Sequence, residues 1–245
     1  MRWLIAFFGL VPGVAGASCQ LALALGLDVS GSVNAEEYNL QQDGLVAALE
    51  DPNVQLAFLA RGDGSVALLV YEWSASSYQR IIVDWTLVES RADLADVTGR
   101  IVANKRPDAP FQTSIGSALL FAARQFERVP DCARRTIDLS GDGKSNDWPP
   151  PDRVLGTPEL AGVTVNALVI GSNAPLGGAN RKTEIEELMG YFESEVIAGA
   201  RAFAEPANGY EDYAPATTRK LLRELSGPVL GGLLRRSLET IAKGG

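Results

Sequence analysis

The chain has 245 residues, with 22 Lys and Arg against 30 Asp and Glu and no histidine, for a net charge of −8. An acidic surface argues against nucleic acid or an anionic membrane as a partner. Without histidine, Ser-His-Asp and Cys-His catalysis and the common zinc sites are excluded, which leaves carboxylates, hydroxyls, lysine or a metal for any chemistry.

Residues 1–17 have a cationic Arg2, an apolar core from Trp3 to Val14 and small residues at Ala15 and Ala17. They read as a secretory signal peptide cleaved between Ala17 and Ser18, too short to span a bilayer, which needs about 20 apolar residues. Cleavage removes Arg2 and no acid, so 21 basic side chains face 30 acidic ones and the net charge becomes −9. The alternative, a lipoprotein acylated at Cys19, has Gly16 against it, where such sites carry a larger aliphatic residue. No other stretch is apolar for long enough to span a membrane, and the remaining length, residues 18–245, suits one domain.

Residues 21–38, LALALGLDVSGSVNAEEY, read as strand, loop and helix, with Asp28 at the strand end. Asn34 followed by Glu37 has the pattern of a capping box, and Asp51-Pro52 ends the helix. Val54, Leu56 and Phe58 alternate as a strand would. Arg61-Gly62-Asp63 is the tripeptide of some integrin ligands but more simply a hairpin turn. Residues 66–71 form an apolar run, a strand buried on both faces. Residues 78–86 suit a sheet edge, and Ser90 caps a helix bearing Leu94, Val97 and Ile101.

After a proline-bearing loop at 106–112, Thr113 opens a helix whose Ile115, Leu119, Ala122 and Phe126 share one stripe. Residues 135–140 form a strand, although Asp138 interrupts its apolar character. Residues 144–158, with four prolines, read as a loop. Residues 163–170 are an apolar strand, 183–192 a helix, 201–203 part of a short last strand, and 217–225 and 230–241 helices. Strands alternating with helices give an α/β fold, a doubly wound, mostly parallel sheet with helices on both faces.

Cys19 lies nine residues before Asp28 and Cys132 ten before Asp142, so both would start strands that end in acidic loops. If those strands are neighbours, the pair meets at the end of the sheet opposite the acids. A disulfide follows in an oxidising compartment, with two buried thiols as the alternative.

In an α/β sheet, loops at the carboxyl ends of strands converge on a crevice. Asp28, Ser30 and Ser32 fall at such a place, and alternate residues of an extended loop point the same way. One carboxylate and two hydroxyls facing one point suit a hard cation such as Mg²⁺. Each Ser or Thr taken alone is equally a turn or cap residue.

Asp28-Val29-Ser30-Gly31-Ser32, Thr113 in QTSIGSAL and Asp142 in SGDG together resemble the metal-ion-dependent adhesion site of von Willebrand factor type A domains. The resemblance implies that the three loops share one end of the sheet. It implies Ser30, Ser32 and Thr113 as direct ligands of Mg²⁺ or Mn²⁺, with Asp28 and Asp142 acting mostly through water. It implies a binding module and no catalysis, and the signal peptide adds the expectation that the module is secreted, in the bacterial periplasm. The family usually has Thr-Asp-Gly where this chain has Ser140-Gly141-Asp142-Gly143. The segment YFESEVIAGARAFAEPANGYEDYA is similar to a family of secreted bacterial A-domain-like proteins with no assigned activity. A metal ligated by hydroxyls keeps most of its charge and would take an acidic group of a partner protein at its open position. Trp148, in the proline-rich loop, is a candidate ligand contact.

A second reading comes from haloacid-dehalogenase-type phosphatases, which DVSGSV and GDGKSND also resemble, with Asp28 as nucleophile and Asp142 and Asp147 holding Mg²⁺. Against it, Ser30 cannot act as general acid, residues 107–112 are no strand, and Lys144 lies inside the last motif. Gly143-Lys144-Ser145 is no phosphate loop, because Asp138 stands where its first glycine is required.

Overall fold

The structure, a computed structural model, describes residues 19–60, 64–129, 131–171 and 178–226. The expected signal peptide, the Arg61-Gly62-Asp63 turn and the helix at 230–241 lie outside these residues. Six strands, β1 (Cys19–Asp28), β2 (Ser65–Trp73), β3 (Gln79–Val88), β4 (Cys132–Gly141), β5 (Val163–Ile170) and β6 (Ala204–Ala207), form one sheet in the order β3-β2-β1-β4-β5-β6. All neighbours are parallel except β3, which runs antiparallel to β2 at the edge.

Seven helices surround this sheet among the described residues: α1 (Ala35–Glu50), α2 (Pro52–Leu59), α3 (Arg91–Ala103), α4 (Ile115–Gln125), α5 (Pro151–Leu155), α6 (Gly178–Glu195) and α7 (Tyr213–Leu225). The period of two along β1 divides the core. Leu21, Leu23, Leu25 and Leu27 pack with Tyr38, Leu45 and Leu49 of α1, Leu94 and Val97 of α3, and Leu221 of α7. Ala22 and Ala24 face the other side, where Ile115 and Leu119 of α4 and Phe192 of α6 lie. Small residues on one face of β1 and leucines on the other therefore set how closely each helical layer approaches.

Most expected elements are present, with local differences. Residues 52–59 are helix, not strand. Asp51 accepts from the backbone N–H groups of Asn53 and Val54, Pro52 occupies the first turn, and Val54 and Phe58 are buried one turn apart while Leu56 is 60% exposed. A helix start signal outweighed the apparent alternation. The fourth helix begins at Ile115, two residues after Thr113. The proline-rich loop contains the short α5, with Pro151 in its first turn. The last strand starts at Ala204, just after the expected 201–203.

Cys19 and Cys132 are register partners on β1 and β4 and are joined by a disulfide, with Cα atoms 4.5 Å apart. The polar interruption of β4 is also explained. Asp138 is buried, and Lys220 of α7 forms ion pairs with it and, at 2.7 Å, with Glu224.

Candidate functional site

The site lies where the topology reverses. β1 has β2 on one side and β4 on the other, so the chain leaving β1 and the chain leaving β4 diverge and open a crevice at their carboxyl ends. Val29 N–H still donates to Trp73 carbonyl at 2.9 Å, after which the backbone turns. Ser30 N–H donates to Asp28 Oδ1 at 2.8 Å, an Asx-type turn that fixes the carboxylate beneath the loop. Asn34 and Glu37 then form the expected capping box of α1.

From this turn a line of hydroxyls runs across to β4. Ser30 Oγ and Ser32 Oγ are 3.3 Å apart, and Ser32 Oγ donates to Asp142 Oδ1 at 2.6 Å. Tyr210 hydroxyl donates to the other oxygen, Asp142 Oδ2, at 3.1 Å. Asp28 and Ser30 are fully buried whereas Ser32 faces solvent, so the cluster has an inner wall of carboxylate and an outer, open side.

Thr113 stands in the adjoining loop, buried, and its position is set through the backbone. Its N–H donates to Asn146 Oδ1 at 2.8 Å, and its carbonyl accepts from Asn146 N–H at 2.9 Å, Asp147 N–H at 3.2 Å and Ser145 Oγ at 3.1 Å. The loop is docked on the first one where Gly31 N–H donates to Phe111 carbonyl at 3.0 Å. A Cβ at Gly31 would come within 2.4 Å of the Phe111 ring, so only glycine allows this close approach. Asp28, Ser30, Ser32 and Asp142 are thus one connected group, with Thr113 held beside them.

Several residues that position the site carried no signal in the sequence. Gln41 is buried, donates to Asp28 carbonyl at 3.0 Å and accepts from Ser140 Oγ at 3.0 Å, tying the two strand ends together behind the loops. Tyr210, Asn146 and Ser145 come from irregular segments where no periodicity marks them. Phe111 and Trp148 are 82% and 65% exposed and flank Thr113, with Trp148 carbonyl accepting from Ser114 Oγ at 3.1 Å. Both carboxylate oxygens of Asp147 accept backbone N–H groups, from Ser76 and Trp148, at 2.8 Å each, so that acid serves the loop.

The electrostatics are unbalanced. Burial, and then the neighbouring Asp142 carboxylate, push Asp28 up to about 8. Burial also raises Asp142, against the pull of its bonds from Ser32 and Tyr210. Asp28 Oδ2 is buried and has no hydrogen-bond partner among the described residues. Two carboxylates, one of them with an orphaned oxygen, and two serine hydroxyls fit a hard divalent cation, which would answer the repulsion and the missing contact together. Among the described residues no three His, Cys, Asp or Glu side chains gather as a metal site, so a cation here would rest largely on hydroxyls.

Residues 18–229 match the family described as protein of unknown function DUF1194. The chain belongs to this family. No curated protein matches this DUF1194 chain. Among solved structures it is similar to proximal thread matrix protein 1 from the mussel byssus, with 20% identity over 84% of this chain and a TM-score of 0.58; one such structure is described as having a zinc-occupied MIDAS motif. It spans about half of that protein, 48% of its chain. An aerotolerance-related membrane protein from Bacteroides fragilis is 12% identical over 83% of this chain and 99% of its own, with a TM-score of 0.52. A von Willebrand factor type A structure from Catenulispora acidiphila is 15% identical, over 85% of this chain and 43% of its own, with a TM-score of 0.50. The DUF1194 chain therefore has the von Willebrand A-type α/β fold. No helix among the described residues is long and apolar enough to cross a membrane.

Proposed function

We propose that this protein is a divalent-cation-dependent binding module, with the cation held by Ser30, Ser32 and Thr113 and by Asp28 and Asp142 behind them. The observation that carries the reading is the fully buried Asp28, whose Oδ2 has no partner among the described residues and whose neighbour is a second carboxylate. Such a pair is stable beside a cation and costly without one. The mussel protein with a zinc-occupied motif supports a divalent ion in this fold; the all-oxygen donor set of this chain favours Mg²⁺ or Mn²⁺.

A cation that receives neutral hydroxyls as ligands keeps much of its charge and has a position facing solvent at Ser32. It would take a Glu or Asp carboxylate of a partner protein there, while exposed Phe111 and Trp148 offer apolar contact at the rim. The bound group is recognised, not transformed. The sequence features at residues 1–17 and the disulfide support secretion, with residues 18–245 working in the bacterial periplasm.

The test is isothermal titration of Mg²⁺ and Mn²⁺ into chelator-stripped protein, wild type beside Asp28→Ala, with a general phosphatase substrate added afterwards. Saturable binding lost in Asp28→Ala, without turnover, is expected. Metal-dependent turnover lost with Asp28 would replace this reading with the phosphatase one, and no binding of either ion would end it.

A further inference from the structure

At the other end of the sheet, the starts of β4 and β5, the turn before β6 and the last turn of α7 line a half-open cavity of about 400 Å³. Arg134, Arg201 and Arg223 line it. Arg134 precedes Asp142 by eight residues along β4, which at about 3.3 Å per residue puts the cavity roughly 26 Å from the proposed cation. In a chain with net charge −8 this clustering of guanidinium groups runs against the overall balance.

The lining has little negative charge to offset them. Glu224 is the one acidic residue of the cavity wall among the described residues, against three arginines; its Oε1 receives Lys220 Nζ at 2.7 Å and Asn166 Nδ2 at 2.8 Å, and that lysine is shared with Asp138. Arg134 Nη1 donates to the Glu224 carbonyl at 3.3 Å, which anchors its guanidinium at the end of α7. Arg223 stacks on Phe203, its Cζ 3.7 Å from the ring centroid. A stacked guanidinium has its edge N–H groups free to point sideways in a set direction, so its ordering precedes binding.

Arg201 is presented by strained backbone. Its φ of 64° lies in the left-handed region, unfavourable for a residue with a Cβ, and Gly199 two positions earlier has φ 99°. The turn is pinned to β5 by two bonds between Val165 and Ala198, of 2.7 and 3.2 Å. A Cβ on Gly199 would meet Val163 carbonyl at 2.9 Å, so the turn cannot relax outward by substitution there. The strain fixes an arginine at the cavity where a glycine would be easier.

We propose that this cavity is a second binding site, for a small oxyanion carrying two or more negative charges, a phosphate ester or a polycarboxylate. Guanidinium forks match both groups, and the lining hydroxyls of Thr136 and Thr164 add donors that a single carboxylate would not need. A cavity of this size takes a metabolite-sized molecule. The site is independent of the cation end and of the reading given for it.

The test is titration of inorganic phosphate, glycerol phosphate and citrate into the metal-free full chain and into Asp28→Ala. Saturable binding is expected in both, weakening as NaCl is raised. Affinity should fall by about tenfold or more, the equivalent of one charge-assisted bond, in Arg201→Gly and in Arg223→Gln. Arg201→Gly also relieves the left-handed backbone, so its thermal midpoint should not fall and lost binding there is not lost folding. Binding of the phosphates alone identifies a phosphate ester as the ligand class, and binding of citrate alone a polycarboxylate. Saturation by none of the probes, binding that survives both arginine substitutions, or binding abolished by Asp28→Ala would overturn the proposal.

Discussion

Asp138, inside β4, and Asp142, one residue past its end, are each set against a second carboxylate, and the chain meets the two situations differently. At Asp138 the second acid is Glu224, and Lys220 bonds to both from α7; the lysine is 1% exposed. At Asp142 the second acid is Asp28, and the bonds to their side chains come from serine, tyrosine and one backbone N–H, with no Lys or Arg among the described donors. A third interior acid, Glu72, repeats the first pattern, with Arg80 at 2.6 Å, Tyr38 at 2.7 Å and Asn104 at 2.6 Å. Where a carboxylate lies within the packed layers, the fold supplies its own cation or donors. At the mouth of the sheet it supplies only neutral donors, which is the arrangement a site needs if the positive charge is to come from outside.

That contrast predicts unequal costs. Lys220→Met should destabilise the protein by about 3–5 kcal/mol in urea unfolding, because it leaves Asp138 and Glu224 buried together without their cation. Equal stability in the variant would mean that the lysine is not the counterion its position between the two acids makes it. Next in size, Cys19→Ser with Cys132→Ser should cost about 2–5 kcal/mol, since the disulfide closes β1 to β4 across a separation of 113 residues. Because it lies at the end away from Asp28, Mg²⁺ affinity measured at a temperature where the variant is folded should stay unchanged. A joint loss would show that the Asp28 end depends on strand registry held from the far side.

How much of this was legible beforehand depends on whether a residue acts through local pattern or through contact with a distant segment. The β1 loop was readable because Asp28, Ser30 and Ser32 are local and alternate, and the capping box of α1 fixes where the loop ends. The disulfide followed from the distances of two cysteines to two acids. The helix at 52–59 was missed because three apolar residues at alternate positions fit a strand, while the deciding Asp51 cap and Pro52 lie just outside the alternation. Asp138 looked like a defect of its strand because its partner, Lys220, is distant in sequence and approaches from α7. Gln41, Tyr210 and Asn146 had no chance of being found. Each is an ordinary polar residue whose role exists only once the strand ends have been brought together.

Replacing Asp28 itself should separate the two clusters further. Asp28→Asn removes the buried carboxyl that must keep its proton against the unfolded chain's tendency to release it, so at neutral pH the metal-free variant should be at least as stable as wild type. With metal at about 100 times its dissociation constant the order should invert, as wild type alone gains about 2.7 kcal/mol by linkage. Thermal unfolding with and without Mg²⁺ checks this, and parallel curves for the two proteins would remove the basis for a cation at Asp28.

The last effect is in the pH dependence of the interior cluster. Burial and the Glu224 carboxylate push Asp138 up to about 7, from an ordinary 3.8, with Lys220 pulling the other way. Above about pH 4 the unfolded chain has released this proton while the folded chain holds it until about 7. The folded state binds more protons across that window, so stability should fall as pH rises from about 4 to about 7 and this contribution should level off beyond. Burial favours loss of the Lys220 proton, but Asp138 and Glu224 together outweigh it and raise the lysine above its ordinary 10.5; its contribution is therefore intact below that value and does not enter the window. Asp28 contributes a slope of the same sign, so the comparison belongs in the Asp28→Asn background, with and without Asp138→Asn. A shallower decline in the double variant is the expected result. An unchanged slope would mean that Lys220 keeps Asp138 ionised throughout and that the interior cluster carries its charges openly.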